Sequence, residues 1–143
     1  ARFRIAQGMV CLTVAPPARE AVGALWLTTG PFCEDEAHLK FEPPTGWAWD
    51  TGLYIAPSAR GGRAFAALWA AARQWLEARE LAGSMSRIAD YAAPVLAAHA
   101  RMGAHDLGVV ATLSVGRHVR VWGAAPPNTT LDGPRAVVRL AAP

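Results

Sequence analysis

Cysteine is scarce in this chain: Cys11 and Cys33 are the only two in 143 residues. Two thiols at that separation make no disulfide framework, so a reducing cytoplasm is the default compartment. Lysine is scarcer still, with Lys40 alone, and arginine carries nearly all the positive charge. The net charge is +3, yet the arginines are scattered, with no basic run interleaved with aromatics. Nucleic acid is therefore not the expected partner. No apolar run approaches the roughly 18 residues that span a bilayer, so no membrane partner is expected either. The opening ARFRIAQGMVCLTV also lacks the apolar core and cleavage pattern of a signal peptide. Nucleophile elbow, Walker loop and dinucleotide fingerprint are all missing. CEDEAH (33–38) holds metal-ligand residue types without a second pair at zinc-site spacing, so no metal is expected.

What is present is a globular composition, 52% hydrophobic and 17% charged, of a length that fits one domain. MVCLTV (9–14) and AVGALWLTT (21–29) read as two antiparallel strands, stopped by prolines and a Gly-Pro pair. The acidic segment 32–45 reads as a loop or irregular insertion, and 47–56 as a strand closed by Pro57. Phe65, Leu68, Trp69, Ala72, Trp75 and Leu76 form one stripe of a helix that Gly83 stops. SMSRI (84–88) is a short strand. A second helix spans about 91–102, with Pro94 in its first turn, Tyr91, Val95, Ala98 and Met102 on one face, and Gly103 as its stop. Stretches 107–115, 117–123 and RAVVRL read as strands, and APPNTTLDGP as a loop. The order predicts a mixed α/β domain with helices layered on the sheet.

The stretch LYIAPSARGGRAFAALW (53–69) turns from strand into helix through Arg60-Gly61-Gly62. A helix N-terminus has unsatisfied N–H groups and partial positive charge, so it accepts phosphate readily. Glycines ahead of it let a ligand approach the backbone. By itself the turn is a weak signal and reads first as a plain connection.

With the helix that follows it and HARMGA (99–104), this stretch resembles the GNAT family of acyl-CoA N-acyltransferases. Leu53, Tyr54, Ile55, Pro57, Arg60 and Gly61 match the strand-and-loop block in order and spacing, and His99 and Gly103 match the end of the second helix. The resemblance implies a mixed, mostly antiparallel central sheet flanked by helices, without the family's N-terminal strand and helices. It implies acetyl-CoA or another acyl-CoA as co-substrate and a small-molecule or peptide amine as acceptor. The backbone of Leu53, Tyr54 and Ile55 would pair with the pantetheine arm, as an added strand does. Arg60, Gly61, Gly62, Arg63 and Ala64 would hold the pyrophosphate.

Two positions depart from the family loop: Arg63 and Phe65 stand where small residues are usual. A family asparagine position falls on Ala92, and Asp90 is the nearest polar candidate for that cofactor contact. The general-acid position, usually tyrosine, is His99, whose imidazolium can protonate a thiolate. Asp50 is the candidate base. For both residues a purely structural role, as a packed histidine and a strand-end carboxylate, stays open. A homodimer is one way to supply the acceptor wall that the family builds from its N-terminal elements. A GNAT-shaped domain that binds without catalysis is the alternative, and an unrelated α/β module is a third reading.

Overall fold

A computed structural model describes residues 1–34, 39–115, 118–122, 130–132, 137–140 and 142. The chain opens with a short helix, α1 (Arg2–Ile5), and then builds a four-stranded sheet in the order β1-β2-β5-β6. β1 (Val10–Val14), β2 (Gly23–Thr28) and β5 (Trp47–Ile55) pair antiparallel; β6 (Gly83–Met85) runs parallel to β5. β2 is the central strand and its residues are almost all buried, which is why its apolar run scarcely alternates.

The two faces of this sheet are covered differently. Leu25 and Leu27 meet Leu68 and Ala72 of α2 (Ala64–Glu77). Leu25, Leu27, Leu68 and Ala72 are fully buried, and each leucine stabilises the fold by about 1.5–3 kcal/mol. The opposite face carries Trp26, Trp49 and Met85, and what covers it is a second sheet, not a helix. β3 (Phe32–Cys33), β4 (Lys40–Glu42), β10 (Val137–Arg139) and β9 (Thr130–Asp132) form that sheet in this order. Phe41 of β4 stacks on Trp49 with ring centroids 4.3 Å apart. The segment read as an irregular insertion thus contributes two strands, because Phe32, Leu39 and Phe41 are core residues set among acidic ones. A third sheet is the hairpin of β7 (Ala111–Val115) and β8 (His118–Trp122).

Other boundaries shift for local reasons. α2 ends at Glu77, well before Gly83, in a Schellman motif: Leu81 N–H donates to Leu76 C=O, and Glu80 N–H to Glu77 C=O. Glu80 takes the left-handed position at φ 55°. Gly83 has another task, since a Cβ there would stand 2.8 Å from the Trp47 ring. α3 (Ala93–Arg101) has Pro94 in its first turn, as expected. Its expected inward face is not buried: Tyr91, ahead of the helix, is 87% exposed, Val95 and Met102 are exposed, and His99 is the buried residue. Residues 107–110 precede β7 without strand pairing, and Leu107 and Val110 pack on the core. Among the described residues no helix is long and apolar enough to cross a membrane.

Candidate active site

The site begins with a bulge. Ala24 lies opposite Tyr54 and Trp26 opposite Thr51, so β5 spends three residues where β2 spends two. The extra residue bends the strand at Gly52, whose φ of +62° suits glycine. Its consequence is a change of face. Before the bulge Trp47 and Trp49 pack toward the second sheet, and after it Leu53 and Ile55, of the same parity, pack toward α2.

β6 accompanies β5 only over three residues, with Trp47, Ala48 and Trp49 opposite Gly83, Ser84 and Met85. Beyond that point the chain leaves the sheet, and residues 86–89 run free of strand pairing. Between them and the outer half of β5 lies a cavity of about 240 Å³. Asp50, Thr51, Gly52 and Leu53 line one side and Ser86–Ala89 the other, with His99 and Val95 of α3 behind and Arg4 and Glu34 at the remaining wall.

Asp50 and His99, which the sequence offered as base and acid, both line this cavity. Asp50 is 4% exposed, and the Ser84 hydroxyl donates to its Oδ2 at 2.6 Å. Burial raises its pKa to about 6, against the opposing pull of the Ser84 hydrogen bond and the nearby His99. His99 is 8% exposed, and its Nδ1 lies 2.8 Å from the Val95 carbonyl. A carbonyl only accepts, so Nδ1 carries the hydrogen and Nε2 is left as the nitrogen for proton exchange. The rings of Trp69 and Phe65 stand edge-on to the imidazole, with centroids at 5.5 and 6.1 Å.

At the end of β5 the chain makes a single 3-10 turn, Pro57–Ala59, and enters α2. Arg60 Nε donates to Ile55 C=O at 3.2 Å, tying the loop to the strand. Gly61 sits at φ +74° with nothing within 4 Å of where a Cβ would be. Among the described residues, the N–H groups of Gly61, Arg63, Ala64, Phe65 and Ala66 meet no protein acceptor. Phe65 does not cover them: its ring is turned against Trp69 and His99. Arg60, Gly61, Gly62 and Arg63 are exposed and Ala64 is buried on the sheet. The loop thus presents open donors on its outer side.

A comparison with solved structures places this architecture, with 23 matching chains. The fold is that of the GNAT acyltransferases. AAC(6')-Iy in complex with the bisubstrate analogue CoA-S-monomethyl-acetylneamine superposes with a TM-score of 0.55 at 13% identity, over 68% of this chain and 63% of that one. A Trypanosoma brucei acetyltransferase gives 0.54 at 15% identity, over 80% and 74%. A Bacillus halodurans transcriptional regulator gives 0.52 at 17% identity, over 66% and 58%. The chain thus spans about three-fifths of the length of the first and third of these structures. No family model matches the sequence, and no curated protein does.

Within the GNAT frame the expected residues fall into two groups. Asp50, Leu53 and His99 share the cavity, and Arg60, Gly61, Gly62, Arg63 and Ala64 form the loop. Leu53 and Ile55 turn their side chains into the core, whereas the Tyr54 side chain faces solvent. Asp90 is exposed and is not among the residues lining the cavity. Sequence reasoning missed Arg4, Glu34, Ser84, Ser86 and Arg87. Glu34 and Arg87 form a two-bond ion pair, the Nη2 contact being 2.9 Å, across 53 positions. No local pattern announces such a pair. Of the acidic stretch 34–42, residues 35–38 lie outside the described residues.

Proposed function

We propose that this protein is an N-acyltransferase that moves an acyl group, acetyl foremost, from coenzyme A to an amine. One observation carries the reading. A half-open strand, a buried carboxylate and a loop with unpartnered N–H donors lie in sequence along one stretch, 50–66. The opening beyond Trp49 suits an extended amide-bearing arm, which would lie beside β5 as a further strand. The open donors of Gly61, Arg63, Ala64, Phe65 and Ala66 suit a pyrophosphate at the start of α2. Neighbours of this fold include one solved with a CoA bisubstrate analogue, which supports the cofactor class.

The chemistry follows from the cavity. A neutral amine attacks the thioester carbonyl; the new C–N bond forms and the C–S bond breaks. Asp50, with a pKa of about 6, is ionised at neutral pH and takes the proton from the attacking nitrogen, directly or through one water. His99, as the imidazolium, gives its Nε2 proton to the departing thiolate and is left neutral with its hydrogen on Nδ1. The bound geometry converts a bimolecular encounter into a positioned one.

The test is titration of the purified protein with acetyl-CoA, followed by thiol release with a panel of amines. The expected result is a melting temperature that climbs with acetyl-CoA concentration, as binding linkage requires, and amine-dependent thiol release. A melting temperature indifferent to millimolar acetyl-CoA would remove the proposal.

A further inference from the structure

The N-terminal segment brings one cation into the cavity whose role the acyltransfer chemistry leaves open. Gln7 clamps this segment to β3, its Nε2 donating to Cys33 C=O at 3.2 Å and its Oε1 accepting from Cys33 N–H at 2.7 Å. Phe3 stands edge-on to Phe32 with centroids at 6.5 Å. Between these anchors Arg4 reaches across to the bulge. Its guanidinium lies so close on Gly52 that a Cβ there would stand 2.9 Å from Cζ. Arg4 Nε is buried with no hydrogen-bond partner, and the side chain lines the cavity.

The other charged groups of the cavity are already engaged. Arg87 is committed to Glu34 through two bonds, and Asp50 accepts from Ser84. Arg4 forms no salt bridge among the described residues. A buried donor on a permanent cation is expensive to leave unmet, and a guanidinium is shaped to meet a planar carboxylate. The cavity therefore holds, on two of its walls, a carboxylate suited to an amine and a cation suited to an anion.

We propose that the acceptor is an amine that also carries a carboxylate, such as an α-amino acid or an amino-acid-terminated peptide, and that Arg4 binds the carboxylate. This rests on the acyltransferase reading and names the substrate class of that site. Arg4 acts as a specificity residue and takes no part in proton transfer.

The experiment compares matched acceptors with acetyl-CoA as donor: L-phenylalanine against phenethylamine, L-lysine against cadaverine, and glycylglycine against its amide. The expected result is kcat/KM about 10- to 100-fold higher for at least one carboxylate partner of a pair, the range a charged hydrogen-bonded contact supplies. Arg4→Gln should erase that preference through KM, Arg4→Lys should restore part of it, and the acetyl-CoA Kd should stay within twofold in both. A binding arm needs no turnover: with CoA present, N-acetyl-phenylalanine should bind more tightly than N-acetyl-phenethylamine, and only with Arg4 intact. Equal treatment of the paired acceptors and equal binding of the paired products would overturn the proposal, as would a large loss of acetyl-CoA affinity in Arg4→Gln. Failure of acetyl-CoA to bind the wild type would instead strike the acyltransferase reading, and the product-binding arm would still judge the anion site.

Discussion

Single positions in this chain answer to backbone geometry before they answer to chemistry. Glu80 shows it most simply. A non-glycine residue held left-handed costs about 1–2 kcal/mol, and Glu80 sits there because the Schellman motif closing α2 needs that conformation. Part of that cost would return as unfolded-chain entropy if glycine replaced it. Glu80→Gly is therefore expected to stabilise the fold by about 0.5–1 kcal/mol and raise Tm by roughly 2–4 °C, as calorimetry can check. Gly83 illustrates the opposite error. Its place after an apolar stripe reads as a helix stop, but the Trp47 ring across the β5–β6 pair is what forbids a side chain there. A contact 36 positions away in the chain leaves no local trace.

At the scale of elements, α2 and the strand before it were legible because their signals are local. Leu68 and Ala72 fall on a helical stripe, and both are buried on the sheet. Pro57 ends β5 within two residues of where it was expected. The bulge was not legible. Trp47, Trp49, Leu53 and Ile55 share one parity and so look like one face of a strand, whereas the extra residue at Gly52 divides them between two cores. β3 and β4 escaped for a different reason: strands of two and three residues are shorter than any alternation can reveal. The loop after β5 lends itself to a direct trial. Gly61→Val would force a β-branched side chain into φ +74° and set it in the path of a ligand at the open donors. Titration well below Tm should show acetyl-CoA affinity falling at least tenfold in folded Gly61→Val. Unaltered affinity would mean the ligand never approaches that backbone.

For the molecule as a whole, the buried carboxylate makes stability depend on pH in a direction opposite to most acidic groups. Asp50 has a pKa of about 6 in the folded protein against an ordinary 3.8. Below the unfolded value both states are protonated there, and the contribution is fully present. As pH rises from about 4 to 6 the unfolded chain releases the proton first, so stability falls, by up to about 2–3 kcal/mol from this group. Denaturant titrations at pH 4.5 and 7 should show that loss in the wild type and a smaller one in Asp50→Asn, after allowance for other groups that titrate in the window. The same replacement should lower kcat by about 10²- to 10⁴-fold if the carboxylate is the base. A destabilised group kept in a cavity, beside a histidine and a hydroxyl, is the pattern expected where function and stability pull apart.

The early parting of β6 from β5 has one more outcome. Past Trp49 the outward-facing peptide groups of β5 have no strand beside them among the described residues, and apart from Ile55 C=O, which accepts from Arg60 Nε, they are left to water when no ligand is bound. Deuterium should enter that rim of the sheet far sooner than it enters the rim shared with β2. A molecule laid along it would slow the uptake at alternate positions only, leaving a two-residue rhythm as its footprint.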